Sequence, residues 1–389
     1  VTVPDPSPSH QPSARVVMIG AGQLARMTQQ AAVDLDVELT VLAQAIDEPA
    51  VSAGASYLLG AHTDADALAA AAHLGEVVTF DHELVPGTLL RALEADGVVL
   101  RPGRRALGFA QDKLDARRDL GEAGFPVPAW AAVEGPGSVT DFAATHGWPV
   151  VLKARSGGYD GRGVLVLEGP QDVPVGLDWG GANRPAWLVE EHLDLVAELA
   201  VLVARGPSGE MATYPMIETT QVDGICRHLV TPASAVGPDV VSAAAVLGTA
   251  VVGHIGAVGI CAVELFVVAG GRLLVNEVAL RPHNSGHATI EANETSQFHQ
   301  HLRAVLDWPL GPTALVAPAA AMVNVIGTDL CPDPTRNLPA ALTVEGAHIH
   351  LYGKQSRPGR KIGHVTALAS TTDAALDTAR RAVDALLAE

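Results

Sequence analysis

The sequence predicts a protein of mixed α/β and α+β class with two to three domains. Three features carry that prediction: a strand, glycine turn, helix and strand near the start; two short strands joined by a glycine-rich loop; and later strands that alternate apolar and polar residues. At 389 residues, 48% hydrophobic and 17% charged, the chain is long enough for a large core and too long for one ordinary domain.

The opening stretch VTVPDPSPSHQPSAR is rich in proline and serine and reads as a flexible tail over 1–14. It does not read as a signal peptide, because the apolar run that follows is only Val16 to Ile19. That run is the first strand, Gly20-Ala21-Gly22 the turn, Gln23 to Val33 a helix and Glu38 to Ala43 the second strand. Val77 to Phe80 and Val98 to Arg101 read as further strands of a first α/β domain over 15–110. A helix from Gln111 to about Ala123, stopped by Gly124 and Pro126, opens a second domain over 111–315. Within it Trp148 to Ala154 and Val164 to Leu167 flank the loop Arg155 to Gly163, which makes a flap over about 125–190. Strands at Ala186 to Glu190, Glu198 to Ala204, Cys261 to Val268 and Arg272 to Val278 read as an antiparallel sheet with one covered face. The last part, 316–389, holds strands near Met322 to Ile326 and His348 to Tyr352 and a helix from Asp373 to Leu387.

A net charge of -18 argues against a nucleic-acid or membrane-surface binder, so any anionic ligand must be met by a local basic cluster. No uninterrupted apolar stretch approaches the ~20 residues that cross a bilayer. Cys226, Cys261 and Cys331 lie far apart and suggest neither a disulfide framework nor a zinc site. A soluble cytoplasmic protein is expected. Of 25 basic residues only Lys113, Lys153, Lys354 and Lys361 are lysines, which marks these four as candidates for work a guanidinium cannot do.

Gly20, Gly22 and Ala25 fit the G-x-G-x-x-G/A spacing, but the second strand closes on Ala43-Gln44 where a dinucleotide site wants an acid. A structural or substrate-phosphate turn therefore stands beside the dinucleotide reading. The run Gly157-Gly158-Tyr159-Asp160-Gly161-Arg162-Gly163 is the raw material of a phosphate cradle, with Lys153 on the preceding strand and Arg155 beside it. A two-residue turn at Gly270-Gly271 would face Ala269 to Arg272 and hence Glu264 to Glu277. Two facing carboxylates amid apolar neighbours suggest a shared cation, and hard oxygen donors suggest magnesium. Arg281-Pro282-His283-Asn284-Ser285-Gly286-His287 follows that strand. The basic segment Lys354 to Lys361 fits a small phosphate ester.

In this order, GAGQL at Gly20, Lys113, Lys153 with GGYDGRG, Glu190-Glu191-His192-Leu193, Glu198, Asn276-Glu277, RPHNSGH and YGKQSRPGRK, the chain resembles the 5-(carboxyamino)imidazole ribonucleotide synthase family over roughly residues 15 to 370. The resemblance implies an ATP-grasp fold with an N-terminal biotin-carboxylase-like, Rossmann-like domain and a small C-terminal domain. It implies ATP-dependent carboxylation of aminoimidazole ribonucleotide with bicarbonate by a cytoplasmic homodimer, with ATP and Mg2+ as cofactors and no nucleic-acid or membrane partner. ATP falls to Lys113, Lys153, Gly158, Tyr159, Asp160, Gly161, Arg162, Gly163, Val164, Glu190, Glu191, His192, Leu193, Glu198, Gln221, Asn276 and Glu277, and Mg2+ to Glu264 and Glu277. The ribonucleotide and carboxyl donor fall to Gly20, Gly22, Gln23, Leu24, Tyr159, Asp160, Arg281, His283, Asn284, Ser285, Lys354, Arg360 and Lys361. Arg281, Lys354 and Asp160 are the implied catalytic residues. Gln221 stands where the family usually has histidine, Leu280 where it has proline, Leu84 interrupts its Glu-Asn/His-Val-Pro string, and Ala279 replaces the asparagine of many other ATP-grasp enzymes. The alternatives are another ATP-grasp enzyme on a purine precursor, such as the formate-dependent glycinamide ribonucleotide transformylase; an NAD-dependent dehydrogenase; and a non-catalytic ATP-binding regulator.

Overall fold

The computed structural model describes residues 12–158, 162–178 and 186–388. Its first sheet has four parallel strands in the spatial order Ser56–Leu59, Val37–Ala43, Ala14–Ile19, Val77–Phe80. Ala14 already belongs to the first strand rather than to the tail. Both faces of the sheet are covered, Val16 and Met18 packing with the helix Gln23–Asp34 and Val17 and Ile19 with Leu68 and Leu90. That double burial explains the unbroken apolar run. The expected strand at 98–101 reduces to a single bridge between Val78 and Leu100, because Pro102 ends it and the chain turns into the helix Arg104–Gln111. Ser56–Leu59, mostly exposed at the sheet edge, was not anticipated.

The helix expected from Gln111 starts two residues later, at Lys113–Glu122. Gln111 closes the preceding helix, and Asp112 breaks the run with an extended backbone while its carboxylate accepts from the Leu114 and Asp115 N–H groups at 3.0 and 3.1 Å. Next comes a four-stranded antiparallel sheet in the order Trp130–Val133, Trp187–Glu191, Val150–Ala154, Val164–Leu167. This sheet takes up the segment expected to form a flap, and its last hairpin carries the glycine-rich loop.

The third sheet has nine strands. Its main path runs Arg272–Ala279, Gly259–Val268, Leu195–Arg205, Ile217–Val222, Ile225–Thr231, Ala319–Ile326, Lys361–Ala369, Ala347–Leu351, and Met211–Thr213 pairs with Leu195–Arg205 off that path. Two expectations are corrected here. The strand expected here at Ala186 to Glu190 lies instead in the four-stranded sheet as Trp187–Glu191, while the C-terminal strands continue this one through the pairing of Ile225–Thr231 with Ala319–Ile326. Nor is only one face covered. Leu199, Val201 and Val203 pack with the helix Pro238–Ile255, and Ala200, Leu202 and Ala204 pack on the opposite face with Tyr214, Ala288 and Ala292. Pro238–Ile255 has the length and hydropathy of a membrane span. It lies on the sheet so closely that a methyl at Gly248 would stand 2.5 Å from Val201 Cβ.

The first and third sheets are joined through His301. Its Nδ1 accepts from the Ile260 N–H at 3.1 Å, which leaves Nε2–H to donate to Thr79 Oγ1 at 2.8 Å. The ring is fully buried and burial drives its pKa down to about 3, so it bridges the sheets as the neutral form.

Candidate active site

The two acids of the Gly259–Val268 and Arg272–Ala279 hairpin do face each other, by a different route from the one the spacing suggests. The turn takes three residues, Ala269 to Gly271, with Gly270 at φ 76° and Gly271 at φ 74°, and it pairs Val268 with Arg272. That register alone would place Glu264 opposite Asn276. A one-residue bulge at Asn276 shifts it, so that Leu265 pairs with Val275 and Glu264 with Glu277. The bulge also turns Asn276 and Glu277 towards the same face, where Asn276 Nδ2 donates to Glu264 Oε2 at 3.4 Å. Glu198, on the adjoining strand opposite Phe266, joins this face.

Burial raises the Glu264 carboxyl, and the facing Glu277 and Glu198 add to it, so that its pKa reaches about 8. Burial also presses on Glu277, but the Lys113 ammonium, which donates directly to Glu277 Oε2, outweighs it and holds that carboxyl well below the usual range. The two facing carboxyls are thus driven apart, Glu264 towards the neutral acid and Glu277 towards the carboxylate. Three acids crowded on one face, balanced by lysines, leave an electrostatic demand that a divalent cation would relieve. Among the described residues no group of three or more His, Cys, Asp and Glu side chains forms a cage for a metal ion. Two hard carboxylates are nevertheless a donor set that suits Mg2+, which completes its shell with waters and phosphate oxygens.

Lys113 and Arg117 stand four residues apart on one helix and project from one face. Lys113 reaches Glu277. Arg117 reaches Glu190, whose Oε1 accepts from Arg117 Nε at 2.6 Å and whose Oε2 accepts from Lys153 Nζ at 2.6 Å. Lys153 also donates to Asn276 Oδ1 at 3.1 Å. Burial presses the Glu190 carboxyl upward, but the charges of Lys153 and Arg117 hold it at about 2. Arg155 was expected to add its charge to the phosphate loop. Instead its Nε and Nη2 grip the Asp112 carboxylate at 3.2 and 2.5 Å, fixing the start of the Lys113 helix.

Among the described residues of the loop, positive φ falls on Gly157 and Gly163. Gly158 is constrained otherwise: a side chain there would meet the Arg162 carbonyl at 2.8 Å. Tyr159, Asp160 and Gly161 lie outside the described residues; Arg162 and Val164 are exposed. Glu191 accepts from the Ala129 N–H at 2.8 Å, His192 is exposed and Leu193 half-buried. Gln221 lies on the strand next to that of Glu198, at the outer end of a bulged hairpin.

The glycine turn is filled by the protein itself. Asp81 Oδ2 accepts from the Gly22 N–H at 2.6 Å and Oδ1 from the Ala25 N–H at 3.2 Å, so a carboxylate occupies the helix N-terminus where a dinucleotide would place its pyrophosphate. Leu24 is buried, and Gln23 Oε1 accepts from Lys354 Nζ at 2.6 Å, which brings the basic segment to the first domain. Arg281 donates to Glu83 Oε2 at 2.8 Å, and Glu83 also accepts from the Leu280 N–H at 3.2 Å. His283 Nδ1 takes the Ser285 N–H at 3.4 Å, leaving Nε2 facing Glu264 Oε1 at 3.6 Å. The Asn284 and Asn324 amides exchange hydrogen bonds of 2.9 Å in both directions, which fixes both side chains. Arg360 Nη1 reaches the Gln355 carbonyl at 3.3 Å, and Lys361 begins its strand close enough to draw the Glu264 carboxyl down.

Three residues were not singled out from the sequence: Asp81, Glu83 and Arg117. For Arg117 a signal was available, its i, i+4 spacing from Lys113. Glu83 opens the string that Leu84 interrupts, but its partner Arg281, like the partners of Asp81, is visible only in the fold.

The chain matches three family descriptions in succession: a ribonucleotide synthetase preATP-grasp domain over residues 14–111, an ATP-grasp domain over 118–298, and a phosphoribosylaminoimidazole carboxylase C-terminal domain over 320–378. It is 46% identical to the N5-carboxyaminoimidazole ribonucleotide synthase of Mycobacterium tuberculosis, over 91% of this chain and 83% of that one. To the Corynebacterium ammoniagenes protein of the same name it is 42% identical, over 99% and 95%. An Aspergillus clavatus N5-carboxyaminoimidazole synthase, solved in complex with ADP and 5-aminoimidazole ribonucleotide, superposes with a TM-score of 0.87 at 30% identity, covering 96% of this chain and 98% of that one.

Proposed function

The chain belongs to the N5-carboxyaminoimidazole ribonucleotide synthase family, and on that premise we propose how its residues divide the work. It is an ADP-forming ATP-grasp ligase that carboxylates 5-aminoimidazole ribonucleotide in purine biosynthesis. The observation that carries the assignment of the site is the convergence of Lys113 and Lys153, from two different elements, on Glu277 and Asn276 of a bulged hairpin.

Lys113, Lys153 and the loop Gly158 to Val164 hold the triphosphate under the flap, and Glu190 to Leu193, Glu198 and Gln221 line the nucleotide. The Glu190 carboxylate is committed to Arg117 and Lys153, so it serves through Lys153. Glu264 and Glu277 would hold Mg2+, which when bound supplies positive charge to the phosphate oxygens. To hold it Glu264 would have to be ionised, and Lys113, now on Glu277, would be free to meet phosphate oxygens. A bicarbonate oxygen then attacks the γ-phosphorus, the bond to ADP breaks, and carboxyphosphate forms. The exocyclic amine of the ribonucleotide then forms a bond to the carboxyl carbon, directly or after carbon dioxide is released, the carbon–oxygen bond to phosphate breaks, and the amine proton leaves with the phosphate.

Arg281, locked by Glu83, and His283 orient the carboxyl donor. Lys354, Arg360 and Lys361 meet the ribonucleotide phosphate, with Gly20, Gly22, Gln23, Leu24, Asn284 and Ser285 closing its pocket. Tyr159 and Asp160 complete it from the flap. As domains we take 15–110, 111–315 with the flap at about 125–190, and 316–389, in a cytoplasmic homodimer. Three free buried cysteines and the acidic surface agree with a reducing compartment. Against the dehydrogenase stands Asp81 at the helix N-terminus.

ADP release, measured with the ribonucleotide and bicarbonate omitted in turn, tests the assignment. It should require both, and release undiminished without the ribonucleotide would overturn it.

A further inference from the structure

Glu190 carries two cations on one carboxylate. Arg117 and Glu190 are each 2% exposed and Lys153 9%, so this is a buried triad with one charge more than neutrality requires. The two cations are not equivalent. Lys153 also touches Asn276 and lies 5.7 Å over the Phe266 ring, on the side where Glu264 and Glu277 face each other. Arg117 approaches from the Lys113 helix and holds the other carboxylate oxygen.

Resting on the reading that Lys153 meets the nucleotide phosphates, we propose that Arg117 is a positioning residue for ATP turnover: it keeps Glu190 paired, so that Lys153 can pass its ammonium from Glu190 to the phosphates and back. With Glu190 alone, moving Lys153 to a phosphate would leave an uncompensated buried carboxylate, which is strongly unfavourable. The lysine would stay trapped. With Arg117 present, Glu190 keeps a charge-assisted hydrogen bond throughout, and the surplus positive charge makes Lys153 readier to leave. The direction of the Lys153 shift agrees: burial lowers its pKa and Arg117 and Lys113 lower it further, against the pull of Glu190. A guanidinium suits the role because it stays charged when buried.

A double-mutant cycle separates this from a packing role. Arg117→Gln should lower kcat/KM for ATP by about tenfold or more while moving the KM for the ribonucleotide by no more than about twofold. In a Glu190→Gln background the same change should cost less than about twofold, because there is no longer a carboxylate to hold. Arg117→Lys should recover most of the activity in the parental background. An equal penalty in both backgrounds, or a parallel rise of both KM values with a lowered Tm, would overturn the proposal. Should Arg117→Gln alone not fold, the comparison of Glu190→Gln with Arg117→Gln/Glu190→Gln decides: matching ATP kinetics support the proposal, and a tenfold gap overturns it. Lys153→Met tests the underlying reading separately. If it leaves the KM for ATP unchanged, Lys153 is not at the phosphates; if it impairs ATP use while Arg117→Gln does not, only the role of Arg117 falls.

Discussion

Glu264 and Glu277 are chemically alike and face each other, yet the structure gives them opposite characters. Lys113 holds Glu277 ionised, while Glu264, deeper and beside two other acids, keeps its proton. The consequence for mutation is asymmetric. Glu264→Gln replaces a neutral acid by a neutral amide and should melt no lower than the parent in the absence of nucleotide and magnesium at pH 7. Glu277→Gln strips Lys113 of its partner and should melt lower. Both should lose about 10²-fold or more in turnover, as removal of one preorganised electrostatic group does. Neither should gain as much Tm as the parent when magnesium and ATP are added. Thermal melts with and without the ligands read both effects, and equal Tm losses for the two variants would contradict the asymmetry.

At the scale of elements, the flap depends on its loop glycines. Gly163 has φ 78° and its Cβ position lies 2.9 Å from Ala154 Cβ, so Gly163→Val forces a left-handed β-branched residue into a contact. The cost falls on the hairpin proposed to close over the nucleotide. Turnover should drop while hydrogen exchange in the first sheet stays parental, and the parental loop amides should gain protection on addition of ADP and magnesium. Unchanged protection would count against the flap. This hairpin was legible from its glycines and apolar flanks. The acid hairpin was legible only in outcome: the two-residue turn and the unbroken ladder are each off by one residue, and the two differences cancel at Glu264 and Glu277. Elements whose apolar residues run round every face, or whose pattern a basic run interrupts, escaped reading. Pro238–Ile255 is apolar all round although only the face of Ala244, Gly248, Val251, Val252 and Ile255 is buried and Val246 is exposed, and Lys361–Ala369 is buried on both faces and opens on the basic run.

For the molecule as a whole, buried neutral histidines tie the parts together. His301 joins the first and third sheets, and His287 and His364, also fully buried, lie with ring centroids 5.0 Å apart between the RPHNSGH segment and the C-terminal strands. Burial is the first cause of the lowered pKa of each. Unfolded, each would titrate near 6.5, so below that pH the unfolded chain binds protons that the folded chain does not. Their contribution is complete above about pH 6.5 and is lost as pH falls, by about 1.4 kcal/mol per pH unit for each histidine. Tm should therefore decline from pH 6.5 towards 5, and His301→Gln should flatten the decline while lowering Tm at pH 7.5. A Tm rising over that interval would contradict it. The glycine-rich loop, the lysines and the acid pair were visible in the sequence; their assembly was not, because the partners of Asp81, Glu83 and Arg117 lie far along the chain, and the spacing of Arg117 from Lys113 marks its helix face without naming Glu190.

The most direct test of the account follows the carboxyl group. With 13C-bicarbonate, ATP, magnesium and 5-aminoimidazole ribonucleotide, NMR should show a labelled carbamate on the ribonucleotide, formed one for one with ADP and phosphate. ADP produced without label in the ribonucleotide, or label incorporated without ATP consumption, would contradict it.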